Sequence, residues 1–84
     1  MAQNQKQLQV KILKINETLF DGAANRLTVP GSNGEMTILP EHEPLVSILK
    51  KGTIEVEANG EVREFSIDQG YLETRPEQTS ILLT

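Results

Sequence analysis

At 84 residues the chain has room for one small hydrophobic core, and with no cysteine it has no disulfide or thiolate metal site to reinforce it. Twelve acidic residues oppose eight basic ones, for a net charge of −4, and the only adjacent basic pair is Lys50-Lys51. Binding a phosphate backbone needs a positive field, so no nucleic acid partner is expected.

The opening stretch, Met1 to Gln7, is polar and carries no signal-peptide core, so residues 1–7 read as a disordered lead-in. Apolar runs such as Ile81-Leu82-Leu83 are far shorter than the roughly 20 residues a membrane helix needs, which leaves only an indirect route to a membrane. Leu8, Val10 and Ile12 alternate with polar neighbours at the period of a half-buried strand. Leu13 and Ile15 then fall on the opposite parity, the mark of a bulge or of burial on both faces. Asn16-Glu17 turns into a short strand at Thr18–Phe20, and Asp21-Gly22 reads as the next turn. Arg26–Val29 is a strand closed by Pro30-Gly31, the pair favoured at the centre of a type II turn. Glu35–Leu39 follows, then Pro40 to Pro44, then Leu45–Leu49, which lacks clean alternation and reads as a buried strand.

Gly52 opens a strand over Thr53–Ala58. Asn59-Gly60 is the strongest local signal, because both residues tolerate the positive φ of a type I′ hairpin. A two-residue loop sets Ile54 opposite Phe65, Val56 opposite Arg63 and Ala58 opposite Glu61. It also sets Glu55 against Glu64, a repulsion of about a few tenths of a kcal/mol, and the hairpin tip is expected to pass beyond the core. Gly70–Thr74 is another strand, Arg75–Gln78 a turn with Pro76 at its second position, and Thr79–Leu83 the last strand. No window shows helical periodicity. The chain is all-β, a sandwich or barrel over residues 8–84 read as a single domain, with Val10, Ile12, Leu27, Val29, Ile38, Ile54, Val56, Phe65, Ile67 and Ile81 in its core.

Chemistry concentrates between Gly31 and Pro44, where Glu35, Glu41, Glu43 and the only histidine, His42, lie on backbone stiffened by two prolines. A loop already held in shape loses little entropy on docking, which suits a contact surface. Glu41-His42-Glu43 with Glu35 has metal-ligand chemistry, but tight sites use more imidazole or thiolate, and consecutive extended residues point apart. A solvated charged loop is the plainer reading. No serine sits in a nucleophile turn with His42, and Gly31-Ser-Asn-Gly34 lacks the lysine of a phosphate-cradling loop. A carboxylate pair for glycoside hydrolysis stays open, although two phenylalanines, one tyrosine and no tryptophan make a poor sugar platform. The sequence therefore assigns no catalytic residue, no metal and no cofactor. Tyr71 and Leu72 read as core and edge packing, and Lys50-Lys51 as a solvated turn.

Four segments occur in order and spacing that resemble one family: Phe20-Asp-Gly22, Val29-Pro-Gly-Ser-Asn-Gly-Glu35, Ile38-Leu-Pro-Glu-His-Glu-Pro-Leu45 and Gln69-Gly-Tyr-Leu-Glu73. That family is the epsilon subunit of F-type ATP synthase, and the likeness runs from about Leu8 to the end. It implies a small antiparallel β-sandwich of two sheets with about ten short strands. It further implies a non-catalytic rotor subunit of the central stalk that joins the gamma subunit to the c-ring during proton-driven ATP synthesis. Such a subunit is cytoplasmic and peripheral on the inner face of the energy-transducing membrane. Glu35, Glu41, His42 and Glu43 would face the ring. The family usually has Leu-Gly where this chain has Met36-Thr37, and Pro-Gly-His-Ala-Pro where it has Pro40-Glu-His-Glu-Pro44. The added Glu41 and Glu43 imply ring loops bearing compensating lysine or arginine. Family members continue into a helical hairpin of about 40–50 residues, enough for two antiparallel helices, which inhibits hydrolysis and in some members binds ATP. The 84 residues end before it, so the resemblance implies coupling without that brake. Two rivals stand beside this reading: a stand-alone β-sandwich module binding a ligand or metal, and a small hydrolase using Glu35 and His42.

Overall fold

Nine strands and no helix make up the computed structural model, which describes residues 7–84. In chain order they are β1 (Leu8–Lys14), β2 (Glu17–Ala24), β3 (Arg26–Gly31), β4 (Gly34–Ile38), β5 (Leu45–Leu49), β6 (Gly52–Ala58), β7 (Glu61–Ile67), β8 (Gly70–Thr74) and β9 (Thr79–Leu83). The expected lead-in lies, apart from the exposed Gln7, outside the described residues.

Hydrogen bonding runs β2-β1-β9-β8-β5-β3-β6-β7, with β4 on the far side of β3. The link between β5 and β3 is a single bridge, Gly31 to Leu49. It is flanked by the Ser32 amide donating to the Ile48 carbonyl and the Lys50 amide donating to the Pro30 carbonyl, both at 2.9 Å. That narrow hinge divides the sheet into two layers, β2-β1-β9-β8-β5 and β4-β3-β6-β7, folded over a shared core. The two-sheet sandwich is therefore as expected. One pairing is not antiparallel, since β1 and β9 run in the same direction from Val10–Thr79 to Leu13–Leu82.

Alternation decides which side chains meet between the layers. Val10, Ile12, Leu49, Leu72 and Ile81 come from one layer, and Leu27, Val29, Ile38, Ile54 and Val56 from the other; all are essentially inaccessible to solvent. Leu8, Ala24, Ile67 and Leu83 extend this core. Of the ten residues assigned to the core from sequence, only Phe65 differs: it is partly buried and packs against the core from its margin. Its strand, β7, is an edge strand, so Phe65 has neighbours on one side only.

The hairpin register is as expected, with Ile54 opposite Phe65, Val56 opposite Arg63 and Glu55 opposite Glu64. Asn59 and Gly60 have φ of 55° and 81°, and the tip from Asn59 to Glu64 is exposed. The shift of parity in β1 is also real, because register slips between Ile12–Phe20 and Leu13–Thr18 and leaves Leu19 as the extra residue.

Three local readings are corrected. Asp21-Gly22 is not a turn, because β2 continues through it opposite Lys11 and Val10; the long partner strand β1 overrides the turn chemistry. Pro30-Gly31 does not turn either but ends β3, with Pro30 opposite Glu35, and the reversal falls at Ser32-Asn33 before Gly34 at φ 131°. A proline suits the layer hinge because its carbonyl is used there and it has no amide to leave unpaired. Finally, β5 is not buried throughout: Val46 and Ile48 point outward, and only Leu49 is fully enclosed.

Candidate interaction surfaces

Two surfaces stand out, and each follows from how its residues are held. The first is the proline-bracketed loop. The His42 amide donates to the Leu39 carbonyl at 3.1 Å, which closes a four-residue turn with Pro40 and Glu41 at its centre. Glu41 has φ 68°. Proline followed by positive φ is the type II pattern, where glycine is the residue without strain. The His42 Nδ1 lies 2.9 Å from the Glu43 carbonyl. A carbonyl only accepts, so this contact assigns a proton to Nδ1. The same carbonyl accepts from the hydroxyl of buried Thr74, also at 2.9 Å, which ties the loop to the end of β8.

Glu41, His42 and Glu43 thus share one rigid loop. Glu35 does not join them, because it lies near the other end of β4, beside the Ser32-Asn33 turn. Three residues of strand from Glu35 to Ile38 amount to about 10 Å before the loop begins. Among the described residues, no three His, Cys, Asp or Glu side chains gather closely enough to hold a metal ion. The cavity beneath the loop, lined by Glu41, His42 and Arg75 among others, measures about 20 Å³, room for a single water. Beside it the Arg75 Nε and Nη2 reach one Glu73 oxygen at 2.9 and 2.8 Å. The hydrogen bond Arg75 donates to Glu73, then the charge of Glu73, raises the Arg75 pKa above its ordinary value.

The second surface is the outer face of β5, β8 and β9. Ile48 sits opposite Tyr71, and Tyr71 opposite Leu82. Their exposures run from 51% for Leu82 through 53% and 58% for Tyr71 and Ile48 to 72% for Val46. Val46, Tyr71 and Leu82 line a shallow groove of about 370 Å³ edged by Glu73 and Ser80. Clustered exposed apolar side chains mark interaction sites, whereas scattered ones need no explanation. Sequence reasoning missed this face, having placed Tyr71 in packing and β5 in the interior. The available signal was Leu45-Val-Ser-Ile-Leu49, apolar on both parities in a chain with only one core to fill.

The layered sandwich thus presents an apolar outer face and a stiff charged loop at one end. Among the described residues no helix is long and apolar enough to cross a membrane. Residues 7–84 match the family model described as ATP synthase, Delta/Epsilon chain, beta-sandwich domain. The chain belongs to that family. It is 37% identical over 76 residues to the ATP synthase epsilon chain of Psychrobacter arcticus, covering 89% of this chain and 55% of that one. To the epsilon chain of Bordetella petrii it is 38% identical over 76 residues, covering 89% and 54%. The chain therefore spans about half the length of the curated relatives it matches. Its fold is similar to a chain in the Euglena gracilis mitochondrial ATP synthase OSCP/F1/c-ring structure, with TM-score 0.86 and 24% identity over 92% of this chain and 50% of that one. A chain in the central stalk and c-ring of the Tetrahymena thermophila mitochondrial enzyme gives 0.77 and 15%, covering 100% of this chain and 66% of the other.

Proposed function

We propose that this sandwich is a non-catalytic element of the central stalk of an F-type ATP synthase, joining the gamma subunit to the c-ring during proton-driven synthesis. It would work on the cytoplasmic, inner face of the energy-transducing membrane and reach the membrane only through the complex. The observation that carries the reading is the apolar outer face of β5, β8 and β9 in a domain whose core is already complete without it. That face suits a permanent protein neighbour, and gamma is the assigned occupant. Relatives named as epsilon chains, and fold neighbours from assemblies containing a c-ring, support the same placement.

Glu35, Glu41, His42 and Glu43 are assigned to the ring-facing side. Glu41 and Glu43 on the rigid loop, with Glu35 on β4, fit ring loops bearing lysine or arginine. Charges at such a rim mainly set orientation, association rate and salt dependence.

Co-purification with gamma and with the c-ring tests both assignments separately. Val46→Asp with Tyr71→Asp is expected to abolish gamma association. An aromatic anchor alone is worth about 2 kcal/mol or more, some thirtyfold in Kd. Glu35→Lys with Glu41→Lys is expected to weaken ring association and to flatten or reverse its salt dependence, while gamma binding persists. Full gamma binding by the aspartate variant, in a protein that still melts cooperatively, would overturn the assignment of the apolar face.

A further inference from the structure

At the opposite margin of the sandwich, where edge strands β2 and β7 leave the core open, three side chains stack. Phe20 and Phe65 meet edge to face, with ring centroids 6.3 Å apart and planes at 75°. The Arg63 guanidinium lies 5.3 Å from the Phe20 centroid and 5.2 Å from that of Phe65. Arg63 is exposed but, being opposite Val56, lies on the core-side face of the β6–β7 hairpin. A cleft of about 320 Å³ opens here, lined by Phe20, Val56, Ala58, Asn59, Glu61 and Arg63.

Among the described residues the Arg63 guanidinium makes these two ring contacts and no hydrogen bond or ion pair. Contact with the two rings holds the guanidinium in place without using its N–H groups, which are left to donate. The guanidinium fork matches a carboxylate with two parallel hydrogen bonds. Apolar walls from Phe20, Val56 and Ala58 would take a hydrocarbon or ring attached to it. Glu61 at the rim opposes multiple negative charge, so a monoanion is favoured over a phosphate.

We propose that this cleft binds a small amphiphilic carboxylate, with the acid on Arg63 and its apolar body between Phe20, Val56 and Ala58. The volume, at the low end of the range for small-molecule sites, sets the size to a single ring or short chain. This site is on β2, β6 and β7, away from both surfaces assigned to the stalk, and does not depend on that assignment.

The test is a nuclear magnetic resonance titration of the 84-residue chain with phenylbutyrate, phenylbutanol and inorganic phosphate. Saturable shifts are expected for phenylbutyrate at Phe20, Val56, Ala58 and Arg63. Phenylbutanol, which lacks the acid, is expected to bind about tenfold more weakly or worse, and phosphate not to saturate the site. Arg63→Gln is expected to lose a similar factor and Arg63→Lys an intermediate one, because lysine keeps the charge but not the fork. Absence of saturable shifts, shifts centred elsewhere, equal binding of the alcohol, or phosphate binding as tight as the acid would each overturn the proposal. The alcohol comparison uses the unaltered protein, so the result stands even if a variant at Arg63 folds poorly.

Discussion

Glu41 occupies a backbone position that glycine would hold without strain, and replacing it tests whether the loop is as rigid as its geometry implies. Its φ of 68° brings Cβ against the following carbonyl, which costs a residue with a side chain about 1–2 kcal/mol. Glycine relieves that cost but loses about 0.5–1 kcal/mol more backbone entropy on folding. Taking the middle of each range, the net expectation for Glu41→Gly over Glu41→Ala is a gain of about 0.75 kcal/mol. Alanine is the proper reference, because it removes the carboxylate and its contacts while keeping the strained Cβ. For a domain of this size that gain corresponds to a rise of about 3–6 °C in Tm. Thermal and urea unfolding of both variants measure it. Equal stability of the two variants would mean that the turn relaxes freely, and the rigid-loop argument would fail. The family's usual glycine at this place in the motif is what the strain argument anticipates.

Leu72→Ala is expected to cost about 2–5 kcal/mol, because Leu72 is fully enclosed, while Phe65→Ala costs clearly less than the full value for an aromatic, its ring being only partly buried; urea unfolding ranks the two. Gly70→Ala is expected to destabilise by about 1–3 kcal/mol, since a Cβ there would lie 2.8 Å from the Leu82 carbonyl oxygen and 2.9 Å from a Leu83 methyl carbon; an unchanged Tm would contradict it. Glu73→Gln removes the partner that raises Arg75. The raised pKa means that the pair's contribution is complete below the ordinary arginine value and is lost only as pH climbs through the higher folded value. The difference in Tm between this variant and the parent should therefore stay constant from neutral to mildly alkaline pH, and a slope in that window would refute the assignment.

What the sequence disclosed follows from where local chemistry is decisive. Asn59-Gly60 specifies its hairpin because both positions need positive φ and the flanking alternation allows only one register. Pro30-Gly31 misleads because the same pair serves a turn or the end of a strand changing layers, and only the Gly31–Leu49 bridge decides between them. The parallel β1–β9 pair joins opposite ends of the chain, which no local pattern reports. Glu41 gives no hint of positive φ, since its type rarely adopts it. The apolar outer face was concealed by β5 itself, whose two parities are equally hydrophobic, so that burial could not be divided between faces before the partner strands were known.

Both surfaces converge on β8, and that convergence yields a final prediction. Tyr71 stands on the outer face, Leu72 in the core and Thr74 against the loop, all within one strand hydrogen-bonded on both edges. In the proposed stalk role, load passing from gamma to the ring would enter at Tyr71 and leave through the Thr74–Glu43 hydrogen bond. Thr74→Val preserves the shape of this buried side chain and deletes only the donor. The Glu43 carbonyl keeps its contact with His42, so the loss is that of one ordinary hydrogen bond, about 1 kcal/mol. The fold should survive while the loop loosens. Amide exchange at His42, protected by the Leu39 carbonyl, is expected to accelerate, with exchange at Leu72 little changed. In a reconstituted synthase the variant should keep gamma association but lose part of its coupling between proton flow and ATP turnover. Unchanged exchange at His42 would show that the prolines alone hold the loop; faster exchange with full coupling would remove β8 from the path of force.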